Sequence, residues 1–226
     1  MTMQQTKSVP GLRFPNFAGE WKETPMGELL SFKNGYNAGA EQYGSGVKFI
    51  NVLDIIENDF ITHEKIIGSV QIAEKDFEKN KVQYGDILFQ RSSETREEVG
   101  QANVYLDREK SATFGEFVIR GTPLVEFDPV FFNSMLETSK ARKDITSRSG
   151  GSTRYNIGQQ SLEAVLVSIA PTSKIRRTAK QERMPWGATT ATTSPIGRRR
   201  SWGEIASFSK GSGISKAEVH EDGVAR

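Results

Sequence analysis

Cysteine is absent from all 226 residues, which excludes a disulfide framework and any cysteine-ligated zinc. Histidine occurs only at His63 and His220. Each sits in a polar stretch with no second ligand at metal spacing, so both read as surface residues and no metal site is expected. No apolar run approaches the roughly 18 residues of a membrane span, and the polar first residues lack a signal-peptide core. The expectation is a cytoplasmic protein without a membrane partner. There is no G-x-x-x-x-G-K-[ST] phosphate loop; "GSGIS" (Gly211 to Ser215) has the glycines without the lysine. A serine-centred nucleophile elbow is also missing. "DPVF" (Asp128 to Phe131) lacks the second proline of the amino-methyltransferase signature D-P-P-F. It reads instead as a helix N-cap aspartate with proline at the first helical position. No catalytic residue is expected.

What is present is an uneven chain. Hydrophobic residues make up 36%, and 13 Phe, 5 Tyr and 3 Trp can furnish a core. The formal charge of +2 divides unequally: residues 172–226 hold 11 Lys or Arg against 5 acids, so residues 1–171 are net acidic. Any nucleic-acid surface in the main body is therefore a local patch.

Organisation follows from periodicity and punctuation. "VPGLRFPNFAGEWKE" (Val9 to Glu23) carries two prolines and three aromatics and reads as an extended arm pinned by Leu12, Phe14, Phe17 and Trp21. "VKFINVLDI" (Val47 to Ile55) predicts a buried strand, and Ala73 to Lys81 tolerates a helix. A turn at Tyr84-Gly85-Asp86 leads into a strand through Ile87, Leu88 and Phe89. "QANVYLD" and "TFGEFVIRG" predict further strands. Asp128 to Asp144 predicts one helix, with Phe131, Met135 and Leu136 on its apolar face and Lys140, Arg142 and Lys143 in its last turn. "GQQSLEA" starts a short helix, and "VLVSIAP" is a strand ended by Pro171. The sum is an α/β domain of the α+β kind, a mixed, largely antiparallel sheet with a few helices, over residues 1–171. Residues 172–201 are basic, linker-like and low in apolar periodicity. At 202–226 an early phrase returns: "GELLSFKNG" (Gly27 to Gly35) reappears as "GEIASFSKG" (Gly203 to Gly211), the start of a repeat.

Two loops carry chemistry. "QRSSETR" follows a strand and offers Arg91, Ser92, Ser93 and Arg96, donors suited to phosphate oxygens and guanine edges. "KARKDITSRSGGSTRYN" (Lys140 to Asn156) has five bases against one acid. Its Gly150-Gly151 pair lets backbone approach an anion. Arg148, Ser152, Thr153, Arg154, Tyr155 and Asn156 add base-edge and stacking groups. Lys33, Asn34 and Tyr36, after the repeated phrase, form a weaker group. Solvated loops of no special function are the plain alternative.

Taken in order, "LRFPNFAGEW", "MGELLSFKNG", "FINVLDI", "GDILFQRSSE", "GEFVIRG" and "GGSTRYNIGQQSLEAVLVSIAP" resemble the specificity subunit of type I restriction–modification systems. The resemblance implies a target-recognition domain, with the repeat at Trp202 beginning a second one, truncated at Arg226. It further implies sequence-specific binding of double-stranded DNA as the function, with no catalysis in this chain. Partner methyltransferase subunits would use S-adenosylmethionine to methylate adenine N6, and a motor–nuclease subunit would use ATP and magnesium. The long helix expected after "SIAP" is replaced by residues 172–201, where Met184-Pro185-Trp186-Gly187 breaks any helix. The rivals are a stand-alone magnesium-dependent nuclease built on Asp86 and Glu94, an inactive remnant, and a half-sized subunit that dimerises.

Overall fold

The run Ile87-Leu88-Phe89 is apolar at every position, a pattern suited to a strand covered on both faces. A computed structural model describes residues 20–169, all within the compact unit Met1–Glu182. In it β5 (Ile87–Gln90) lies inside an antiparallel sheet, flanked by β9 (Val118–Pro123) and β7 (Ala102–Val104), with β2 (Leu30–Asn34) outside β9. Alternation along β5 divides two cores. Ile87 and Phe89 join Leu30, Phe32, Ile119 and Phe132 on one face, while Leu88 joins Val118, Tyr105, Ile50 and Phe114 on the other. Complete burial of such side chains contributes about 1.5–3 kcal/mol each, which is why both faces are covered.

A second sheet backs the first: β3 (Tyr43–Ile50) lies between β4 (Ser69–Val70), antiparallel, and β8 (Thr113–Phe114), parallel. The fold is thus α+β, mixed and largely antiparallel. The strand expected over Val47 to Ile55 ends early. β3 stops at Ile50 and α1 (Val52–Ile56) follows, because Asn51 caps it: the Asn51 backbone N–H donates to Asp54 Oδ2 at 2.7 Å. That local capping box outweighs the strand preference of Val52, Ile55 and Ile56. α2 (Glu74–Asn80) lies where a helix was expected.

The single helix expected over Asp128 to Asp144 is two, α3 (Pro129–Leu136) and α4 (Ser139–Ser147). Asp128 caps the first, its Oδ1 accepting from the Phe131 N–H at 2.8 Å. Thr138 both closes the first and caps the second, donating to the Met135 carbonyl at 2.8 Å and accepting from the Ala141 N–H. The buried face carries Phe132, Met135 and Leu136; Phe131 is half exposed and meets Trp21 edge-on. Lys140, Arg142 and Lys143 consequently occupy the first half of α4, not a last turn.

After β6 (Ser92–Ser93), β10 (Tyr155–Asn156) and α5 (Gln159–Glu163), the final strand β11 (Leu166–Ile169) pairs antiparallel with β1 (Lys22–Pro25). Leu12, Phe14 and Phe17 of the expected arm, the linker 172–201 and the repeat start 202–226 lie outside the described residues. Among the described residues no helix is long and apolar enough to cross a membrane.

Candidate nucleic-acid interface

The two donor-rich loops meet. β6 and β10 form an antiparallel two-stranded ribbon in which Tyr155 faces Ser93 and Asn156 faces Ser92. Arg91 joins the ribbon to the end of the main sheet: its N–H donates to the Phe117 carbonyl at 2.8 Å, and its carbonyl accepts from the Ile157 N–H at 3.0 Å. Gly150 and Asn156 exchange backbone hydrogen bonds at 3.0 and 2.8 Å, closing a hairpin whose tip is Ser152 and Thr153. Gly151, at φ +131°, permits it, since a Cβ there would lie 1.9 Å from the Arg154 carbonyl oxygen.

The expected contact residues divide by what already occupies them. Ser152, Thr153, Arg154, Asn156 and Arg96 are exposed, and Arg91, Ser92 and Tyr155 are half-buried. Ser93 is buried; its hydroxyl donates to Glu98 Oε2 at 3.0 Å and accepts from the Thr95 N–H, so it ties the 94–98 loop rather than facing outward. Arg148 is paired to Asp144, with Nε 3.0 Å from Oδ1, and Asp144 Oδ2 accepts from the Leu166 N–H. Arg148 thus anchors the hairpin to β11. Arg91 donates to the Glu116 carbonyl and Arg96 to the Thr146 carbonyl, each at 3.3 Å. Arg142 clamps the loop by donating to the carbonyls of Glu97, Val99 and Gly100. Lys140 pairs with Glu23.

Charge at the site is mixed. Arg154 lies 3.8 Å from Glu94, both well exposed, a pairing worth about 0–1 kcal/mol. Glu94, Glu97 and Glu98 outnumber Arg91 and Arg96 on their loop, so the positive field comes from the α4–β10 side. There Lys143 is exposed and has no acidic partner among the described residues. It belonged to the basic run but was not singled out as a contact; the signal for it, the spacing that leaves it outward on α4, needed the correct helix start.

The weaker group splits. Asn34 closes β2 opposite Ile119, while Gln90 faces Val118, so Asn34 shares the ribbon's end of the sheet. The Gln159 amide, oriented to satisfy its neighbours, donates to the Phe32 carbonyl at 3.2 Å and accepts from the Asn34 N–H at 3.1 Å. Tyr36 is engaged by Gln42, whose Nε2 donates to its hydroxyl at 3.1 Å. Lys33 instead donates to the Lys79 carbonyl of α2 at 2.5 Å. Burial, aided by Arg120 and Lys79, lowers its pKa.

Asp86 and Glu94 are not brought together: one precedes β5 and the other follows β6, beyond its far end. Asp86 Oδ2 accepts from the Gln83 N–H at 2.9 Å and faces Arg120 at 4.0 Å. Burial pushes its carboxyl up to about 6 against the pull of that guanidinium. It is a structural carboxylate.

Solved structures similar to this chain include three from type I restriction–modification systems. They are the S subunit of a type I restriction–modification system from M. genitalium (15% identity, TM-score 0.46) and a type I R–M assembly described for its complex formation and conformational transition (16%, 0.48). The third is the HsdS subunit from Thermoanaerobacter tengcongensis (17%, 0.44). The likeness covers 72–73% of this chain and 36–37% of theirs, so the chain spans just over a third of their length. No family model and no curated protein matches it.

Proposed function

We propose that this chain reads double-stranded DNA through the β6–β10 ribbon, as a target-recognition domain of a type I restriction–modification specificity subunit. The carrying observation is the ribbon itself: two loops more than 50 residues apart are laddered side by side at one sheet end, presenting Arg154, Asn156, Ser92 and Arg96. A two-stranded β-ribbon fits the roughly 12 Å width of a B-form major groove. Arginine suits guanine O6 and N7, asparagine suits adenine N6 and N7, and Lys143 suits a phosphate. In this reading the chain supplies address and no catalysis. Methyltransferase subunits carrying S-adenosylmethionine, and a motor–nuclease subunit using ATP and magnesium, act on the DNA it selects.

Selection of the full chain on a random duplex pool tests the reading. The expected result is one enriched motif. Arg154→Ala should relax one motif position by about 1–3 kcal/mol. Lys143→Ala should weaken every sequence alike and flatten the log–log salt slope by about 0.9. An unenriched pool, or cleavage of plasmid by the chain alone in magnesium, would overturn it.

A further inference from the structure

Among the described residues, Phe117 is a phenylalanine left largely outside the two cores. It sits in the turn between β8 and β9 with about half of its surface exposed, although its neighbours Phe114 and Val118 are buried in the core. Nothing in the turn demands an aromatic, and an exposed phenyl ring costs solvation that a polar residue would avoid. Its position is nevertheless held from several sides. The Phe117 carbonyl accepts from the Arg91 N–H at 2.8 Å, and the Gly115 N–H donates to the Ile50 carbonyl at 3.0 Å. The Gly35 N–H donates to the Val118 carbonyl, with β2 approaching so closely that a Cβ on Gly35 would meet the Gly115 oxygen at 2.0 Å. The backbone that carries the ring is therefore fixed beside Arg91, where the ribbon joins the sheet.

We propose that Phe117 is a specificity-determining residue that packs against the 5-methyl group of a thymine in the groove read by the ribbon. This rests on the DNA-reading role proposed above and deepens it. The chemistry follows from the neighbours. Arginine, asparagine and serine read hydrogen-bonding edges, and thymine is the one base that presents an apolar group in the major groove. A phenyl ring carried on the backbone next to those polar readers distinguishes A·T from the other pairs by burying that methyl.

The test uses the motif enriched by the full chain, with each thymine replaced in turn by deoxyuridine. Removing the contacted methyl should weaken binding roughly fourfold, the value of one buried methyl-sized group. Phe117→Ala should bind the thymine and deoxyuridine duplexes equally, with an unchanged salt slope; Phe117→Leu should keep part of the difference. The proposal falls if no thymine shows methyl dependence, or if the dependence survives in Phe117→Ala. In both cases an enriched motif leaves the DNA reading standing. Failure to enrich any motif removes that reading and this proposal together.

Discussion

Gly151 shows how much of the interface depends on one missing side chain. At φ +131° and with the Arg154 carbonyl 1.9 Å from where a Cβ would stand, an alanine cannot be accommodated without opening the hairpin. Gly151→Ala should abolish DNA selection while costing global stability only about 1–3 kcal/mol, the range for backbone strain. Amide exchange should show the loss of protection confined to Gly150, Asn156 and Ile157. Unfolding of the whole domain in that variant would contradict the local account. The neighbouring Arg154–Glu94 pair has the opposite character. It is exposed and 3.8 Å long, weak enough for a nucleic acid to displace the glutamate.

At the scale of elements, the caps decide where helices begin. Asp128→Ala removes the acceptor for the Phe131 N–H and should cost about 1 kcal/mol. In a domain of this size that lowers the melting temperature by about 2–4 °C, measurable by thermal unfolding. This cap was legible in the sequence, as was β5 after its Tyr84-Gly85-Asp86 turn, because both follow from neighbouring residues. The break at Glu137-Thr138 and the switch from β3 to α1 at Asn51 were not, although Thr138 and Asn51 are cap residues by type. Each stands inside a run whose periodicity favours continuation, and only the cap hydrogen bonds made at Thr138 and Asn51 mark the break. The ribbon was legible in composition but not in pairing. Two-residue strands carry no periodicity, and the contact between Ser93 and Tyr155 exists only once α3 and α4 have returned the chain to the sheet end. Phe117 escaped notice because an exposed aromatic and a core aromatic look alike in a row of letters.

For the molecule as a whole, Asp86 is buried at the start of β5, and this sets a pH dependence. Its carboxyl has a pKa of about 6 in the folded protein against 3.8 when unperturbed. The folded state therefore binds the proton more tightly, so this group's contribution to stability is fully present below pH ~4 and is lost as pH rises through 6. The shift corresponds to at most about 3 kcal/mol. Asp86→Asn keeps an acceptor for the Gln83 N–H, while Arg120 keeps the Lys81 carbonyl and the Phe114 face. The difference in unfolding free energy between wild type and Asp86→Asn, followed by denaturant titration from pH 4.5 to 7.5, should change with that sign; a flat difference would show that the carboxyl is not buried as described.

The ladder between β1 and β11 places Lys22 opposite Ile169, so residues 147 positions apart come within about 5 Å of one another. A stretch of polypeptide whose two ends leave through a single doorway behaves as a cassette. It can be copied, or transplanted into a surface loop of an unrelated host, without threading through its own interior.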